Sequence, residues 1–149
     1  MAKTGAPLGG EYAAHIFIKD RWFGFDDGIY TAARVLEVLA RGDASSSQVF
    51  AELPGLISTE EIKLSVPDEY KFELMKKILS CAESSDGHKI LIDGLRIEYQ
   101  DGWGLVRASN TSAALLLRFE ASTEAALDRI QQKFKALIHS ADNSIELDF

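Results

Sequence analysis

The chain has 149 residues, 46% of them hydrophobic and 26% charged, and this balance is typical of a folded domain rather than of a disordered segment. Its net charge of −7 argues against nucleic acid as the main partner, because binding a phosphate backbone requires a broad basic surface. The longest apolar run, Ala113 to Leu117, is too short to span a membrane, and the N-terminus has no apolar signal region. We therefore expect a soluble, cytoplasmic protein with neither a membrane nor a nucleic-acid partner.

The first 41 residues are expected to form one strand and one helix. His15 to Lys19 is predicted as a short strand. Asp26 and Asp27 are predicted to cap a helix whose apolar positions recur from residue 29 to residue 40, and Gly42 is expected to end it. One strand and one helix are too few elements to close a core by themselves.

A linker is predicted for residues 42–57, because residues 42–48 are small and polar and Pro54-Gly55 suits a turn. Residues 58–149 carry a fuller set of elements in the order β-α-β-β-β-β-α. A strand is predicted at 60–66, followed by a helix from Pro67 with Phe72, Met75, Leu79 and Ala82 on its apolar face. A hairpin at 89–99 turns at Asp93-Gly94, and a second turn at Asp101-Gly102 leads into a strand at 103–108. A strand at 113–121 carries Leu115, Leu117 and Phe119 on one face, and Ser122 or Thr123 is predicted to cap the last helix. This order predicts an α+β domain with an antiparallel sheet and two helices on one face.

The connection Arg107 to Ser112 is the strongest candidate site. Arginine presents a planar fork that matches two phosphate oxygens, and Ser109, Asn110, Thr111 and Ser112 add further donors. An ordinary turn beside a strand arginine explains the same residues, because short Ser/Asn/Thr turns are common. Arg118, on the next strand, is either a second phosphate contact or a solvated strand residue.

A second candidate follows Gly9-Gly10, where Glu11 and His15 stand four residues apart. A loop glutamate accepts hydrogen bonds from sugar hydroxyls, and a histidine binds a hydroxyl or phosphate or moves a proton. The alternative is a flexible segment that leads into a strand. Asp26 and Asp27 are most simply caps, and too few ligands accompany them to predict a metal site.

Several sites are excluded by the residues themselves. The single cysteine, Cys81, permits neither an intrachain disulfide nor a cysteine metal cluster, and its helical setting favours a small buried side chain over a nucleophile. The chain has no Walker-type phosphate loop, no Gly-x-Gly-x-x-Gly and no Gly-x-Ser-x-Gly. We therefore expect no catalytic residue and no metal site in this chain, which looks able to hold a phosphorylated ligand but not to transform it.

The motifs taken together resemble the bacterial phosphomannomutase/phosphoglucomutase enzymes of the α-D-phosphohexomutase superfamily. The resemblance is carried by Lys3-Thr4-Gly5-Ala6, Gly10-Glu11, His15 to Gly28 and Gly102 to Thr111, and it covers essentially the whole chain in the same order. It implies an isomerase that interconverts hexose 1-phosphates and 6-phosphates through a bisphosphorylated sugar. It also implies four domains, with a phosphoserine in the first and a Mg²⁺ loop in the second, and neither loop has a match here.

The resemblance implies that residues 1–41 are the tail of the third domain, 42–57 a linker, and 58–149 the fourth domain, with a TATA-binding-protein-like α+β fold. It assigns Arg107, Ser109, Asn110, Thr111 and Ser112 to the phosphate loop, Arg118 as a further contact, and Glu11 and His15 to the sugar loop. Ser112 stands where a threonine is common. Tyr12, Ala13 and Ala14 replace the family's methionine, serine and glycine, so sugar binding departs further from the family than phosphate binding does.

The resulting hypothesis is a C-terminal part of such a mutase, inactive alone. Its partners would be a hexose phosphate and the missing N-terminal domains, and it would hold no cofactor itself. Mg²⁺ and the hexose bisphosphate are implied for the parent enzyme only. The rival hypothesis is a stand-alone phosphosugar-binding regulatory module.

Overall fold

A computed structural model describes residues 1, 4–11, 13–53 and 55–149, with the side chain of Ser84 excepted. The chain divides into two compact units, Met1–Pro54 and Gly55–Phe149.

The first unit contains a β-hairpin and two helices. Strand β1 (Leu8–Gly10) pairs antiparallel with β2 (Ile16–Ile18), so that Leu8 lies opposite Ile18. Helix α1 spans Gly28–Leu39 and helix α2 spans Ser46–Ala51. Among the described residues of this unit, only Ile18 is a buried hydrophobic side chain. The unit therefore has almost no core of its own.

Three details of the first unit differ from the sequence prediction. Strand β1 was not expected, because two of its three residues are glycines and only its pairing with β2 makes it a strand. Helix α1 ends at Leu39 with Ala40 as C-cap, so Gly42 does not terminate it. The predicted linker contains α2, which begins with a capping box: Ser45 Oγ accepts from the Gln48 amide, and the Gln48 side chain accepts from the Ser45 amide.

The second unit is an antiparallel sheet with two long helices. The strands lie side by side in the order β3-β8-β7-β6-β5, and β4 also pairs with β8. The elements in chain order are β3 (Ile57–Ser58), β4 (Ile62–Ser65), α3 (Lys71–Cys81) followed by a 3₁₀ turn (Ala82–Ser84), β5 (His88–Ile90), β6 (Leu95–Tyr99), β7 (Gly102–Ala108), β8 (Ala114–Ala121) and α4 (Glu124–Ala141). The predicted order of strands and helices, and the α+β class, are confirmed, with β3 as an additional short strand.

One sheet face and the two long helices form the core. Leu115, Leu117 and Phe119 are buried on that face as predicted, because alternate residues of a strand point to the same side. Phe134 of α4 meets Phe119 edge to face, with ring centroids 5.3 Å apart. Gly104 lies opposite Phe119, and a Cβ there would come within 2.4 Å of the Phe134 ring. The absence of a side chain at this glycine thus makes room for Phe134.

Helix α3 buries three of the four predicted residues at least in part, Met75, Leu79 and Ala82, but not Phe72. It begins at Lys71 rather than at Pro67, whose carbonyl accepts from the Tyr70 and Lys71 amides in a preceding turn. Its buried residues are Lys71, Leu74, Met75 and Ile78. Phe72, predicted to face the core, is 55% exposed, because the buried stripe of the helix runs through Leu74, Met75, Ile78 and Ala82 and leaves Phe72 to one side.

The turns of the hairpins also shift by small amounts. Strands β5 and β6 are joined by residues 91–94, a longer connection than the predicted two-residue turn. Strands β6 and β7 pair as far as Tyr99 and Gly102, so Gln100-Asp101 forms the turn and not Asp101-Gly102. Both hairpins exist as predicted, and only their turn positions differ.

Candidate functional site

The segment 107–112, here called the 107–112 loop, connects the ends of β7 and β8. Arg107 is still paired in the sheet, opposite Leu116. The Ser109 amide donates to the Ala114 carbonyl at 2.9 Å, and the Ala114 amide donates back to the Ser112 carbonyl at 2.9 Å. These bonds close a tight connection whose exposed residues are Asn110, Thr111 and Ala113.

Ser109 organises this loop from inside. The residue is only 3% exposed, and its Oγ accepts from the Thr111 amide at 3.3 Å and the Ser112 amide at 3.1 Å. The Ser112 hydroxyl also donates to it, at 2.9 Å. A hydroxyl that binds two following amides is a turn-forming device. The Ser109 side chain therefore shapes the loop, while Asn110 and Thr111 occupy its exposed side.

Arg107 is half-buried and partly engaged. Its Nη1 donates to Asp93 Oδ2 at 3.0 Å, across to the β5–β6 connection. Gly94 allows this approach: its φ is +79°, and a Cβ there would come within 2.7 Å of the Arg107 Cα. A guanidinium has five N–H donors, so the Asp93 contact leaves capacity for an anion.

Arg118 lies on the same sheet face as Arg107. Arg118 of β8 pairs with Leu105 of β7, and Arg107 of β7 pairs with Leu116 of β8. Arg118 and Leu116 are two residues apart on β8 and therefore point to the same side of the sheet. This face is opposite to the one that carries Leu117 and Phe119, and Arg118 is half-buried there. The structure thus places two of the predicted phosphate contacts diagonally across neighbouring strands.

Lys71 is a contact that the sequence did not reveal. It is 4% exposed, and its Nζ lies 2.6 Å from Asp68 Oδ1 and donates to the Ser112 carbonyl at 3.2 Å. A lysine in the first turn of a helix is usually solvated, and no local pattern marks this one as buried. Its contact with the 107–112 loop bridges 41 residues of sequence, which explains why local patterns missed it.

The second predicted site connects β1 and β2. Across this connection the Glu11 amide donates to the His15 carbonyl at 3.1 Å, and the Ala14 amide donates to the Glu11 carbonyl at 3.1 Å. Ala14 has a φ of +64°, in the left-handed region that favours glycine. Tyr12 lies outside the described residues. The connection therefore keeps a conformation suited to glycine although alanine occupies the position.

His15 stands between two carboxylates. Its Nδ1 lies 2.5 Å from Asp26 Oδ2, and its Nε2 lies 3.7 Å from Glu11 Oε1. The hydrogen bond and the charge of Asp26 raise the pKa of His15 above its ordinary value, with a smaller contribution from Glu11. The structure thus brings together Glu11 and His15, as the sequence predicted, and adds Asp26 behind the imidazole.

The role of Asp26 corrects the sequence prediction. Asp27 alone is the N-cap of α1, and its side chain accepts from the Tyr30 amide at 2.9 Å. Asp26 instead binds His15 and accepts from the Ile16 amide at 3.3 Å. Adjacent aspartates before a helix cannot be told apart by sequence pattern, and the fold of the hairpin decides which one caps the helix.

Metal sites and membrane-spanning helices were also sought in the described residues. Within residues 1, 4–11, 13–53 and 55–149, no group of three or more histidine, cysteine or acidic side chains converges in a way that would hold a metal ion. None of the helices in this described part is both long enough and apolar enough to cross a membrane.

Comparison with known proteins identifies similar sequences along both units. The family model for the phosphoglucomutase/phosphomannomutase C-terminal domain matches residues 61–137. The model for the phosphoglucomutase/phosphomannomutase alpha/beta/alpha domain III matches residues 1–56. The two matches follow each other along the chain.

Individual relatives agree with these matches. The chain is 46% identical to a phosphomannomutase/phosphoglucomutase of Pseudomonas aeruginosa over 149 residues, which is 100% of this chain and 32% of that protein. It is 49% identical over 142 residues to a phosphoglucomutase of Neisseria gonorrhoeae, covering 94% of this chain and 31% of the relative. A crystal structure of a phosphoglucomutase/phosphomannomutase family protein from Burkholderia thailandensis matches with a TM-score of 0.85 and 45% identity, over 99% of this chain and 31% of that one. The chain spans about a third of the length of these relatives.

Proposed function

The chain belongs to the phosphoglucomutase/phosphomannomutase family, and we propose that it acts as the C-terminal part of a hexose-phosphate mutase, where it holds the phosphate that is not being transferred. The resemblance read from the sequence is thereby confirmed. The observation that carries the proposed role is the placement of Arg107 and Arg118 on one sheet face, with the exposed Asn110 and Thr111 of the 107–112 loop at the adjoining end of β7 and β8.

We propose that the two units correspond to two domains of the parent enzyme. The first would be the tail of its third domain and the second its fourth domain. The bounds expected from the sequence, 1–41 and 58–149, fall within the two compact units, and the expected linker at 42–57 carries α2.

In this proposal the 107–112 loop binds a phosphate dianion. The Arg107 fork offers two parallel donors, and the Asn110 amide, the Asn110 side chain and the Thr111 hydroxyl supply further donors from the exposed side. The Thr111 and Ser112 amides and the Ser112 hydroxyl donate inward to Ser109 Oγ. Ser109 keeps the loop in shape through its inward hydroxyl. Arg118 adds a second positive charge on the same face. Such binding positions a substrate and contributes to catalysis without making or breaking a bond.

The hairpin site would recognise the sugar. Glu11 would accept hydrogen bonds from two hydroxyl groups, and a protonated His15 would donate from its ring. Ala13 cannot supply the hydroxyl that the family's serine offers, a loss of about 0.5–1.5 kcal/mol in binding. Mannose and glucose phosphates share the phosphate and most hydroxyls, so both fit this description.

The chemistry of phosphoryl transfer would lie outside this chain. The phosphoserine and the Mg²⁺ loop of the family have no counterpart in this sequence. The Mg²⁺ and the bisphosphorylated sugar would therefore be met by the parent enzyme's other domains. The chain alone is proposed to bind hexose phosphates without converting them.

An apolar groove in the first unit favours this hypothesis over the stand-alone module. The groove, of about 390 Å³, is lined mainly by apolar side chains from the hairpin and both helices, including Leu8, Ile16, Ile18, Val35, Val38 and Phe50. Phe50 is 52% exposed and Leu8 61%, which is unusual for residues that a self-contained domain would bury. The family's third domain is described as alpha/beta/alpha, and we propose that its remaining elements cover this groove.

Three measurements on the purified chain test the proposal. Glucose 1-phosphate should shift the amide resonances of the 107–112 loop, and no glucose 6-phosphate should form. Turnover by the purified chain would contradict the assignment of catalysis to the missing domains. Hydrogen exchange in β1 and β2 distinguishes the rival: fast exchange supports a fragment, and slow exchange supports a stand-alone module.

A further inference from the structure

Lys71 is a buried cation whose local contacts, the Asp68 carboxylate and the Phe72 ring 5.0 Å from its Nζ, contribute modestly to stability. Its ammonium has one carboxylate partner, Asp68, and the side chain of Asp68 is 70% exposed. An ion pair with an exposed carboxylate in the preceding turn contributes little and does not require the lysine to be 4% exposed. Removing an ammonium from water carries a cost, and an apolar side chain of similar volume would usually be tolerated at least as well.

The second contact of Lys71 is with the backbone of the 107–112 loop. Its Nζ donates to the Ser112 carbonyl at 3.2 Å, and the Ala114 amide donates to the same oxygen at 2.9 Å. Two donors from the protein side therefore fix the orientation of the peptide between Ser112 and Ala113. In a trans peptide the N–H points away from the C=O, so the Ala113 N–H is directed away from Lys71. Ala113 itself is exposed, so an N–H directed away from Lys71 would lie on the open side of the loop.

We propose that Lys71 is a positioning residue for the anion site: by holding the Ser112 carbonyl inward, it turns the Ala113 N–H outward as an additional phosphate donor. This inference rests on the proposed phosphate-binding role of the 107–112 loop and adds two residues to it. The ammonium also places a positive charge behind the loop, where burial reduces solvent screening. Lys71 itself stays on the protein side of the loop and acts through Ser112.

The test is a phosphate titration of ¹⁵N-labelled chain in four forms: wild type, Lys71→Met, Lys71→Arg and the control Lys76→Met. Lys76 lies on the same helix but is exposed, so its replacement removes an equal charge without touching the loop. We expect Lys71→Met to weaken inorganic phosphate binding by about five- to tenfold. Lys71→Arg should recover part of the affinity, and Lys76→Met should bind as wild type does.

A second readout separates positioning from general folding. In wild type the Ala113 amide should shift on phosphate binding, and in Lys71→Met that shift should shrink more than the shift of Asn110. The melting temperature of Lys71→Met should stay near that of wild type, because an apolar side chain suits the buried site. Equal phosphate affinity in Lys71→Met, or equal losses in Lys71→Met and Lys76→Met, would overturn the proposal.

If Lys71→Met does not fold, the wild-type chain still decides the question. The ¹³Cε resonance of Lys71 should shift with the same phosphate dependence as the Asn110 amide, and an unchanged resonance would overturn the inference. If wild type shows no phosphate binding at all, the proposed function fails together with this inference. If wild type binds and Lys71→Met binds equally well, only the inference fails.

Discussion

The guanidinium of Arg107 on β7 donates to the carboxylate of Asp93 in the β5–β6 connection, with Nη1 and Oδ2 3.0 Å apart. Asp93 is 64% exposed and Arg107 33% exposed at the side chain, so this pair lies at the rim of the proposed phosphate site. An anion that approaches Arg107 meets a carboxylate already bound there. The ion pair with Asp93 therefore determines how many N–H donors of Arg107 remain available to bind an anion.

Replacing Asp93 by asparagine should increase phosphate affinity by about two- to fivefold, the range expected for releasing one exposed ion pair. The gain comes from removing a competing negative charge and freeing one donor of Arg107. The measurement is the dissociation constant of inorganic phosphate from amide shifts of the 107–112 loop. Asp86→Asn is the matched control, because Asp86 pairs with Lys133 elsewhere in the unit. Weaker binding in Asp93→Asn would show instead that Asp93 orients Arg107 for the anion.

Ala14→Gly should stabilise the hairpin of the first unit. Ala14 has a φ of +64°, which costs a non-glycine residue about 1–2 kcal/mol, and the greater freedom of glycine in the unfolded chain offsets part of the gain. We expect the local opening free energy to rise by up to about 1 kcal/mol. Hydrogen exchange of the Glu11 amide, which donates to the His15 carbonyl, reports it. Ala13→Gly is the control and should give no gain; a gain of the same size there would contradict the backbone argument.

His15 should titrate above the ordinary histidine range, because Asp26 raises its pKa most and Glu11 raises it by a smaller amount. A raised pKa means that the stability from protonating His15 is fully present below its unfolded-state pKa and is lost as pH rises through the folded pKa. The His15 ring resonances followed against pH give this value directly. Asp26→Asn should lower the pKa of His15 clearly, and Glu11→Gln should lower it less. The reverse ranking would contradict the geometry around the imidazole.

Asp142 links α4 to Tyr70, and its carboxylate should remain ionised in acid. The Ser144 hydroxyl, the Tyr70 hydroxyl and the Ser144 amide donate to it and lower its pKa from 3.8 to about 2. A lowered pKa gives stability that is present above pH 3.8 and is lost as pH falls towards 2. Asp142→Asn should therefore melt lower than wild type near neutral pH, and the difference should shrink in that acid range. Exposed Asp148→Asn is the control; a constant difference at every pH would rule out the ionised form as the cause.

The periodicity of apolar residues was sufficient to predict most strands and helices of the second unit. The alternation through Leu115, Leu117 and Phe119 marked a strand with one buried face, and the residues of this strand lie as expected. The helix capped at Thr123 was also correct, because a capping threonine before an apolar period is a local signal. Predictions held where a local pattern decided the structure.

Predictions failed where distant contacts decided it. The burial of Lys71 comes from a loop 41 residues away, and the pairing of Asp26 with His15 comes from the folding of the hairpin beside α1. Helix α2 was missed for a different reason. The Ser45–Gln48 capping box is a local signal for a helix, but the small, polar residues around it favoured a linker prediction. The site residues themselves were placed by resemblance to a family, and their roles in binding stay predictions.

The most direct test of the central claim is a titration of the ¹⁵N-labelled chain with inorganic phosphate, compared with Arg107→Ala and with Arg129→Ala. Arg129 pairs with Asp101 away from the loop and serves as the control for lost positive charge. We predict saturable shifts of the Ser109, Asn110, Thr111 and Ser112 amides in wild type and Arg129→Ala, and affinity at least about tenfold weaker in Arg107→Ala. Unchanged loop amides in the wild-type chain at saturating phosphate would contradict the assignment of this loop as a phosphate site.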